Sequence, residues 1–242
     1  HESTASRAYL LDRELEGIRV FGGIVLNSYV GGINPAAAEA ALKLGAKQVW
    51  MPTVDGAYHA QIHGGTGAYD AQAGGRRSTG KGLSPLDGER PTAETLEVLD
   101  LISEHGAILG TCHLSPEEIR ALLRAARERK VEKVLLTHPY FKVPAVDLSF
   151  IKEMVALGAV AEFGYCTVSP MWAYASVEKV ALSIKELGAG SCVLVSDCGQ
   201  RHNPMPPEGL RLFVQSLFEK GISEREIETM VVKNPRALLG LD

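Results

Sequence analysis

Short runs of apolar residues alternate along this chain with longer segments in which apolar residues recur at helical spacing. The clearest example lies at 107–141, where AILGTCHLS, PEEIRALLRAARERKVE and KVLLTHPYF predict strand, helix and strand. Ser115 and Glu118 form a capping box with proline at the first helical position, so the start of the helix is well marked. The two strands close on His113 and His138, which predicts two imidazoles at the carboxyl ends of neighbouring parallel strands.

The same alternation continues on both sides of this stretch and predicts six strand–helix units in all. The other predicted strands are 18–26, 48–54, 159–163 and 192–196, and the other predicted helices are 4–15, 36–45, 92–104, 148–157, 176–187, 207–220 and a tail capped at Ser223. This pattern indicates an α/β protein with a parallel sheet. An open doubly wound sheet needs only these six units, whereas a closed eightfold barrel needs two more.

We predict a single domain over 1–242, interrupted by a glycine-rich loop at about 56–91. A connection of this length inside a compact domain is typical of a functional lid or a disordered flap. His59 and His63 lie four residues apart in this loop and could bind a metal together if the segment were helical. The surrounding glycines favour a loop without a helix, so we do not predict a metal site there.

Composition narrows the function classes. The chain is 45% hydrophobic and 22% charged with a net charge of −4, which gives no reason to expect a nucleic acid or an anionic membrane as partner. Its four cysteines form no C-x-x-C pair, so we expect free thiols in a reducing, cytoplasmic location. No apolar run of membrane-spanning length and no signal peptide are visible in residues 1–242, and we expect further sequence upstream of His1. We therefore expect a small-molecule substrate, and a homo-oligomer is compatible with all of this.

The later strands share one further property: a polar side chain with ligating capacity directly follows each apolar run. These residues are His113, His138, Glu162 and Asp197. In a barrel they would face one cavity at the carboxyl ends of the strands. Imidazole and carboxylate groups bind zinc, iron or manganese, and a catalytic site keeps one metal position open for water. Cys112 and Cys166 lie beside these positions, but adjacent strand residues face opposite ways, so we do not predict them as ligands.

TCHLS, LLTHP and LVSDCG, followed by the tail MVVKNPRALLGL, resemble the later strands and closing helix of the amidohydrolase superfamily of metal-dependent hydrolases. That superfamily carries His-x-His on strand one, lysine or glutamate on strand four, histidines on strands five and six, and aspartate on strand eight. The resemblance implies a TIM-type (β/α)8 barrel, of which about six units are present here. With Asp197 on strand eight, His138 falls on strand six and His113 on strand five. We expect the first two strands, with the His-x-His pair, upstream of His1.

The resemblance implies a metal-dependent hydrolase, in which metal-activated water attacks a C–N, ester or related bond of a small molecule. A single divalent transition metal, with zinc as the first choice, would be held by His113, His138 and Asp197. Strand four ends at Asp55 without a lysine that could bridge two metals. Asp197 would accept the proton of the water as general base and pass it to the leaving group.

Five further residues are candidate pocket or substrate contacts. They are His1, Asp55, Glu162, Arg201 and His202. His1 lies where a second strand would end, and Arg201 and His202 follow Asp197 in a loop that would overhang the pocket. The same kind of barrel site serves metal-dependent decarboxylases and phosphoesterases, which are the alternative enzyme classes. Outside enzymes, the alternative is a non-catalytic barrel that binds a ligand or assembles with partners.

Overall fold

The computed structural model describes residues 1–67 and 81–241. They belong to two compact units, His1–Val134 and Leu135–Asp242. Both units repeat the predicted order of strand followed by helix, with parallel pairing between strands, which confirms the α/β class. In the part of the chain that is described, no helix combines the length and apolarity that a membrane span requires.

The first unit contains a three-stranded parallel arrangement in the order β1-β2-β5. Its elements are α1 (Ala5–Glu14), β1 (Gly23–Val25), α2 (Pro35–Lys43), β2 (Gln48–Trp50), α3 (Ala57–His63), β3 (Leu86–Asp87), β4 (Arg90–Pro91), α4 (Ala93–Glu104), β5 (Ile108–Gly110) and α5 (Pro116–Glu128). The predicted capping box at Ser115 and Glu118 is present and starts α5. The strands are shorter than the apolar runs that predicted them, because the runs continue into buried loop residues such as Met51 and Leu26.

Trp50 packs against both of its neighbouring strands. Its indole lies across both neighbouring strands at positions occupied by glycine. A Cβ added to Gly23 of β1 would lie 2.3 Å from Trp50 Cζ3, and one added to Gly110 of β5 would lie 2.4 Å from Trp50 Cδ1. Both distances are far below van der Waals contact. The register pairs Trp50 with Val25 on one side and with Gly110 on the other. The sheet can therefore hold this indole only because two glycines flank it.

The predicted loop at 56–91 contains more regular structure than expected. Residues Ala57–His63 form helix α3, and β3 pairs with β4 as a short antiparallel ladder. The prediction that glycines exclude a helix here is wrong, because Gly56 and Gly64 lie at its two ends and do not interrupt it. Gly64 adopts the left-handed conformation that ends many helices. The part of the loop at 68–80 lies outside the described residues.

The second unit continues with β6 (Lys133–Thr137), most of which belongs to it. Its other elements are α6 (Leu148–Ala156), β7 (Ala159–Gly164), α7 (Tyr165–Val168), α8 (Val177–Leu187), β8 (Cys192–Val195), α9 (Pro206–Glu219), α10 (Glu224–Glu228), a π-helical segment (Thr229–Lys233) and α11 (Asn234–Leu239). The strands follow one another in the order β6-β7-β8, and β7 pairs in parallel with β8. Asn234 joins the tail to β8 by donating hydrogen bonds to the carbonyl oxygens of Ala189 (2.8 Å) and Cys192 (2.7 Å).

Replacing Gly110 with alanine tests the constraint at Trp50. The added methyl group overlaps the indole, so we expect Gly110→Ala to lower the free energy of unfolding by about 1–3 kcal/mol. Gly190→Ala is the matched control, because no atom lies within 4 Å of the added Cβ. Urea unfolding of both variants measures the difference. Equal stability of the two variants would show that the indole moves aside without cost.

Candidate functional site

In the first unit, a buried asparagine ties together the ends of β1 and β2. Asn27 Oδ1 accepts hydrogen bonds from the backbone N–H groups of Thr53 (2.9 Å) and Asp55 (3.4 Å). Its Nδ2 donates to Thr53 Oγ1 (2.8 Å) and to the carbonyl oxygen of His1 (3.3 Å). Sequence reasoning did not single out Asn27, although it is the first polar residue after an apolar run. It acts here as a structural tie between two strand ends.

Two of the predicted pocket contacts, Asp55 and His1, belong to this network. The carboxylate of Asp55 accepts hydrogen bonds from the backbone N–H (2.9 Å) and the hydroxyl group of Ser28. Asp55 is buried, so these donors stabilise its charge at the end of β2. His1 is exposed, and its Nδ1 lies 3.1 Å from Thr53 Oγ1. Both residues therefore belong to or contact the segment that follows β2, and their role as pocket contacts stays a prediction.

Three buried imidazoles form the second group of polar residues in this unit. His59 and His63 lie one turn apart on α3, and His113 follows β5. The rings of His59 and His63 stack with centroids 4.4 Å apart. His59 Nδ1 and His113 Nδ1 are 2.7 Å apart. We call these three residues the imidazole cluster. The sequence predicted that His113 lies in a polar site. It did not predict that His59 and His63 lie beside His113.

The contact between His59 and His113 is made edge to edge. Their ring planes differ by only 7°. Parallel rings in face-to-face contact are separated by about 3.5 Å, so a pair of ring nitrogens at 2.7 Å requires the rings to meet through their edges. One Nδ1 must then donate a proton and the other must accept it. The cluster is thus held by one N–H···N hydrogen bond and one stacking contact.

In the second unit, two predicted site residues hold unusual backbone conformations at strand ends. His138 follows β6 with φ of 32°, and Asp197 follows β8 with φ of 46°. Non-glycine residues rarely occupy this left-handed region, and those that do concentrate at functional sites. Burial lowers the pKa of His138 to about 4, so its imidazole is neutral at pH 7.

Asp197 is held by two side-chain donors. Burial raises its pKa to about 6, while hydrogen bonds with the side chains of Cys166 and Gln200 oppose that rise. The carboxylate is therefore mostly ionised at pH 7. The prediction that Cys166 faces away from the site is wrong, because Cys166 lies in the short helix α7 and not on a strand. Burial and the nearby charge of Asp197 raise the pKa of the Cys166 thiol, so it remains a neutral donor.

Glu162 is a buried carboxyl group near Asp197. It lies on β7, whose register places it opposite Val193 of β8. Burial and the charge of Asp197 raise its pKa to about 8, so Glu162 is mostly protonated at pH 7. Gly164, two residues further along β7, also lies beside Asp197: a Cβ there would be in ordinary van der Waals contact with Asp197 Cβ, at 3.4 Å. The two carboxyl groups thus differ in protonation state at neutral pH.

An aromatic group lies beside His138. The rings of Phe141 and His138 have centroids 5.2 Å apart, and Phe141 also contacts Trp172 at 5.7 Å. Trp172 in turn contacts His202 with centroids 5.3 Å apart, so a chain of aromatic contacts connects His202 with His138. Arg201, the other predicted residue of this loop, is exposed.

The predicted metal ligands are divided between the two units. His113 belongs to the first, whereas His138 and Asp197 belong to the second. Their chemistry fits a zinc-type ion, because metal ligands must be deprotonated and His138 and Asp197 meet that condition at pH 7. Within 1–67 and 81–241, however, no three His, Cys, Asp or Glu side chains are placed so as to hold a metal ion together. The ligand set therefore stays a prediction.

Comparison with known proteins establishes the family and the fold. The model of a family described as "Family of unknown function (DUF6282)" matches residues 1–162, and the chain belongs to this family. Comparison with curated protein sequences gives no match.

Three solved structures show what the fold resembles. A 2-pyrone-4,6-dicarboxylic acid hydrolase (described as putative) from Pseudomonas putida has a TM-score of 0.61 and 14% identity, covering 100% of this chain and 79% of that one. An amidohydrolase from Burkholderia multivorans has a TM-score of 0.61 and 10% identity, covering 99% of this chain and 80% of that one. A 2,6-dihydroxybenzoate decarboxylase from Rhizobium has a TM-score of 0.57 and 12% identity, covering 98% of this chain and 77% of that one. These matches confirm the TIM-type barrel fold and, at the level of the fold, the resemblance to the amidohydrolase superfamily.

The lowered pKa of His138 predicts how stability depends on pH in metal-free protein. The unfolded chain binds a proton at His138 near pH 6.5, whereas the folded chain does so only near pH 4. The contribution of neutral His138 is therefore fully present above pH 6.5 and is lost as the pH falls towards 4. His138→Asn tests this dependence, because asparagine tolerates the left-handed backbone and does not titrate. Between pH 7.5 and 4.5 we expect the free energy of unfolding of this variant to fall by about 2 kcal/mol less than that of the parent protein.

Urea unfolding at both pH values measures this difference. His105→Asn is the matched control, because His105 is exposed at the end of α4. We expect the stability of His105→Asn to change with pH as that of the parent protein does. If His138→Asn also follows the parent protein, the imidazole of His138 is not protected from protonation.

Proposed function

We propose that this member of the family of unknown function DUF6282 is a metal-dependent hydrolase of the amidohydrolase type that acts on a small molecule. The observation that carries the proposal is the left-handed backbone at His138 and Asp197, two ionisable residues that follow β6 and β8. Strained residues persist only where the surrounding structure holds them, and they cluster at active sites, ligand clamps and switch regions. The carboxyl ends of strands are also where barrel enzymes carry their chemistry.

The proposed metal ligands are His113, His138 and Asp197, with zinc as the first choice of ion. When bound, such a metal supplies Lewis acidity, which makes water more acidic and polarises the oxygen of a substrate carbonyl. The ionisation states of two of these side chains support this choice of ligands. His138 presents a neutral imidazole at pH 7 and Asp197 presents a carboxylate.

Asp197 is the proposed proton carrier. Its pKa of about 6 lies close to working pH, which suits a group that first accepts a proton from water and then returns it to the leaving group. The thiol of Cys166 and the amide of Gln200 hold the carboxylate in place during both steps. Glu162, protonated at pH 7, adds no second negative charge and can donate a hydrogen bond to a substrate oxygen.

Changing Asp197 to asparagine tests the proton transfer. Asparagine keeps the shape and tolerates the backbone, but it cannot accept the proton, so we expect hydrolysis to slow by about 10²–10⁴-fold. Asp147→Asn is the matched control, because Asp147 caps α6 and asparagine caps equally well. The probes are an aromatic lactone dicarboxylate, a simple ester, an amide and 2,6-dihydroxybenzoate. Carbon dioxide release without hydrolysis of any other probe would replace the proposal with a decarboxylase.

Metal content tests the second part of the proposal. We expect protein produced with added zinc to retain about one transition-metal ion per chain. His138→Asn should lose this ion and His105→Asn should keep it, measured by elemental analysis after gel filtration. A parent protein without bound metal, or a His138→Asn variant with full metal content, would overturn the metal-dependent proposal.

A further inference from the structure

The first unit contains a cavity that the proposed function does not use. It lies between α1, the segment before β1 and the segment before β2, and its volume of about 440 Å³ is that of a small-molecule site. Phe21 and Lys47, which line it, precede β1 and β2, whereas Asn27 and Asp55 follow the same two strands. We call it the amino-end cavity, because it lies opposite to the strand ends at which barrel enzymes carry their catalytic residues.

Backbone contacts fix the walls of the amino-end cavity. A Cβ added to Gly22 would lie only 2.7 Å from Cα of Ala5, so glycine is required for α1 to begin this close to the segment before β1. The backbone N–H of Lys47 donates to the carbonyl oxygen of Gly22, and that of Thr4 donates to Gly23, both at 2.9 Å. The cavity is therefore preformed, which reduces the entropic cost of binding a ligand.

Of the four cations that line the cavity in the described part of the chain, two already have carboxylate partners. Nε of Arg19 donates to both carboxylate oxygens of Asp12, at 2.9 and 3.2 Å. Lys43 pairs with Glu39, one turn earlier on α2, at 2.6 Å. Each cation lowers the pKa of the carboxyl group that it contacts. These four charges therefore neutralise one another.

The other two cations, Arg13 and Lys47, pair with no carboxylate within 1–67 and 81–241. Arg13 lies over the ring of Tyr9, with its guanidinium carbon 4.3 Å from the ring centroid. A guanidinium group on a ring face keeps its N–H edge available for an anion. Lys47 is half-buried, and an ammonium group that loses water is costly without a counter-charge. The cavity thus holds two positive charges that an anionic ligand would neutralise.

The cavity also exposes apolar surface. Ala5 and Ala8 of α1 are buried in its wall, Phe21 is half-buried, and the side chains of Tyr9 and Leu44 are partly exposed. An inorganic anion would leave this surface in water. An organic group packed against it would gain about 25 cal/mol for each Å² of apolar surface buried. The lining therefore favours an anion that carries an apolar group.

We propose that the amino-end cavity binds a small organic phosphate, whose dianionic head group contacts Arg13 and Lys47 and whose apolar group packs against Ala8 and Phe21. A phosphate monoester carries a charge of about −2 near neutral pH, which matches two cations without partners. A carboxylate or a sulfonate supplies only one negative charge. This ligand is a second small molecule and not the substrate, so the proposal does not depend on the proposed function.

Binding of phenylphosphonate tests the proposal, because a hydrolase leaves its phosphorus–carbon bond intact. Benzenesulfonate has nearly the same shape with a single negative charge, and methylphosphonate has the charge without the ring. At pH 8 we expect phenylphosphonate to bind at least about tenfold more tightly than either of these two anions. Isothermal titration calorimetry measures the affinities. Nitrogen-15 NMR should show shifts at the backbone amides of Gly22 and Gly45, which line the cavity.

Two substitutions locate the bound anion. Arg13→Gln and Lys47→Gln each remove one positive charge, so we expect the affinity for phenylphosphonate to fall by about tenfold in each variant. Arg7→Gln is the matched control, because Arg7 also lies on α1 but pairs with Glu2 and does not line the cavity. We expect this control to stay within about twofold of the parent protein. Circular dichroism checks that each variant is folded.

His138→Asn separates the amino-end cavity from the site of the proposed function. We expect this variant to bind phenylphosphonate as the parent protein does. Retained affinity in Arg13→Gln and Lys47→Gln, or lost affinity in folded His138→Asn, would overturn the proposal. If Lys47→Gln does not fold, Arg13→Gln decides. Absence of saturable binding, or equal binding of phenylphosphonate and either of the other anions, would also overturn it. A protein without zinc or hydrolase activity would overturn only the proposed function.

Discussion

The ionisation states in the second unit depend on the desolvation of three side chains near the carboxyl ends of its strands. Desolvation shifts His138, Glu162 and Asp197 in the same sense, towards the neutral form. The two carboxyl groups shift by different amounts, because Glu162 also experiences the charge of Asp197. The result is one ionised carboxyl group beside one protonated carboxyl group. Two such groups can play opposite roles in proton transfer, which two exposed carboxylates could not.

The first unit satisfies its buried polar groups in another way. Asn27 and Asp55 accept hydrogen bonds from backbone N–H groups and from Ser28, and these bonds stabilise the strand ends. The imidazoles pair with one another, through one hydrogen bond and one stacking contact. Amide and carboxylate groups therefore tie the strand ends of this unit together, and the histidines form a separate buried cluster.

Local signals explain what could be predicted from the sequence. The capping boxes at Ser115 and Ser223 mark helix starts through neighbours three residues apart, and both are present. His138 and Asp197 were found because each is the first imidazole or carboxylate side chain after an apolar run. The imidazole cluster was missed, since the glycines around α3 resemble helix breakers when only sequence is considered.

The role of Cys166 was missed for a different reason. The alternation of side chains holds only while a residue lies on a strand, and the chain leaves β7 at Gly164, before Cys166. The contact between its thiol and Asp197 also joins residues far apart in sequence. No periodicity contains that information. The fold was thus more predictable than the site, because strand order follows from local patterns and side-chain partners do not.

The fit of Trp50 between Gly23 and Gly110 has a consequence for how this sequence can change over time. No one of the three positions can vary alone in size: a larger residue at either glycine collides with the indole, and a smaller residue at 50 leaves a void. A change in side-chain size at one of these positions therefore requires compensating changes at the others. We would therefore look for relatives in which a small aliphatic residue at 50 is accompanied by alanines on both neighbouring strands.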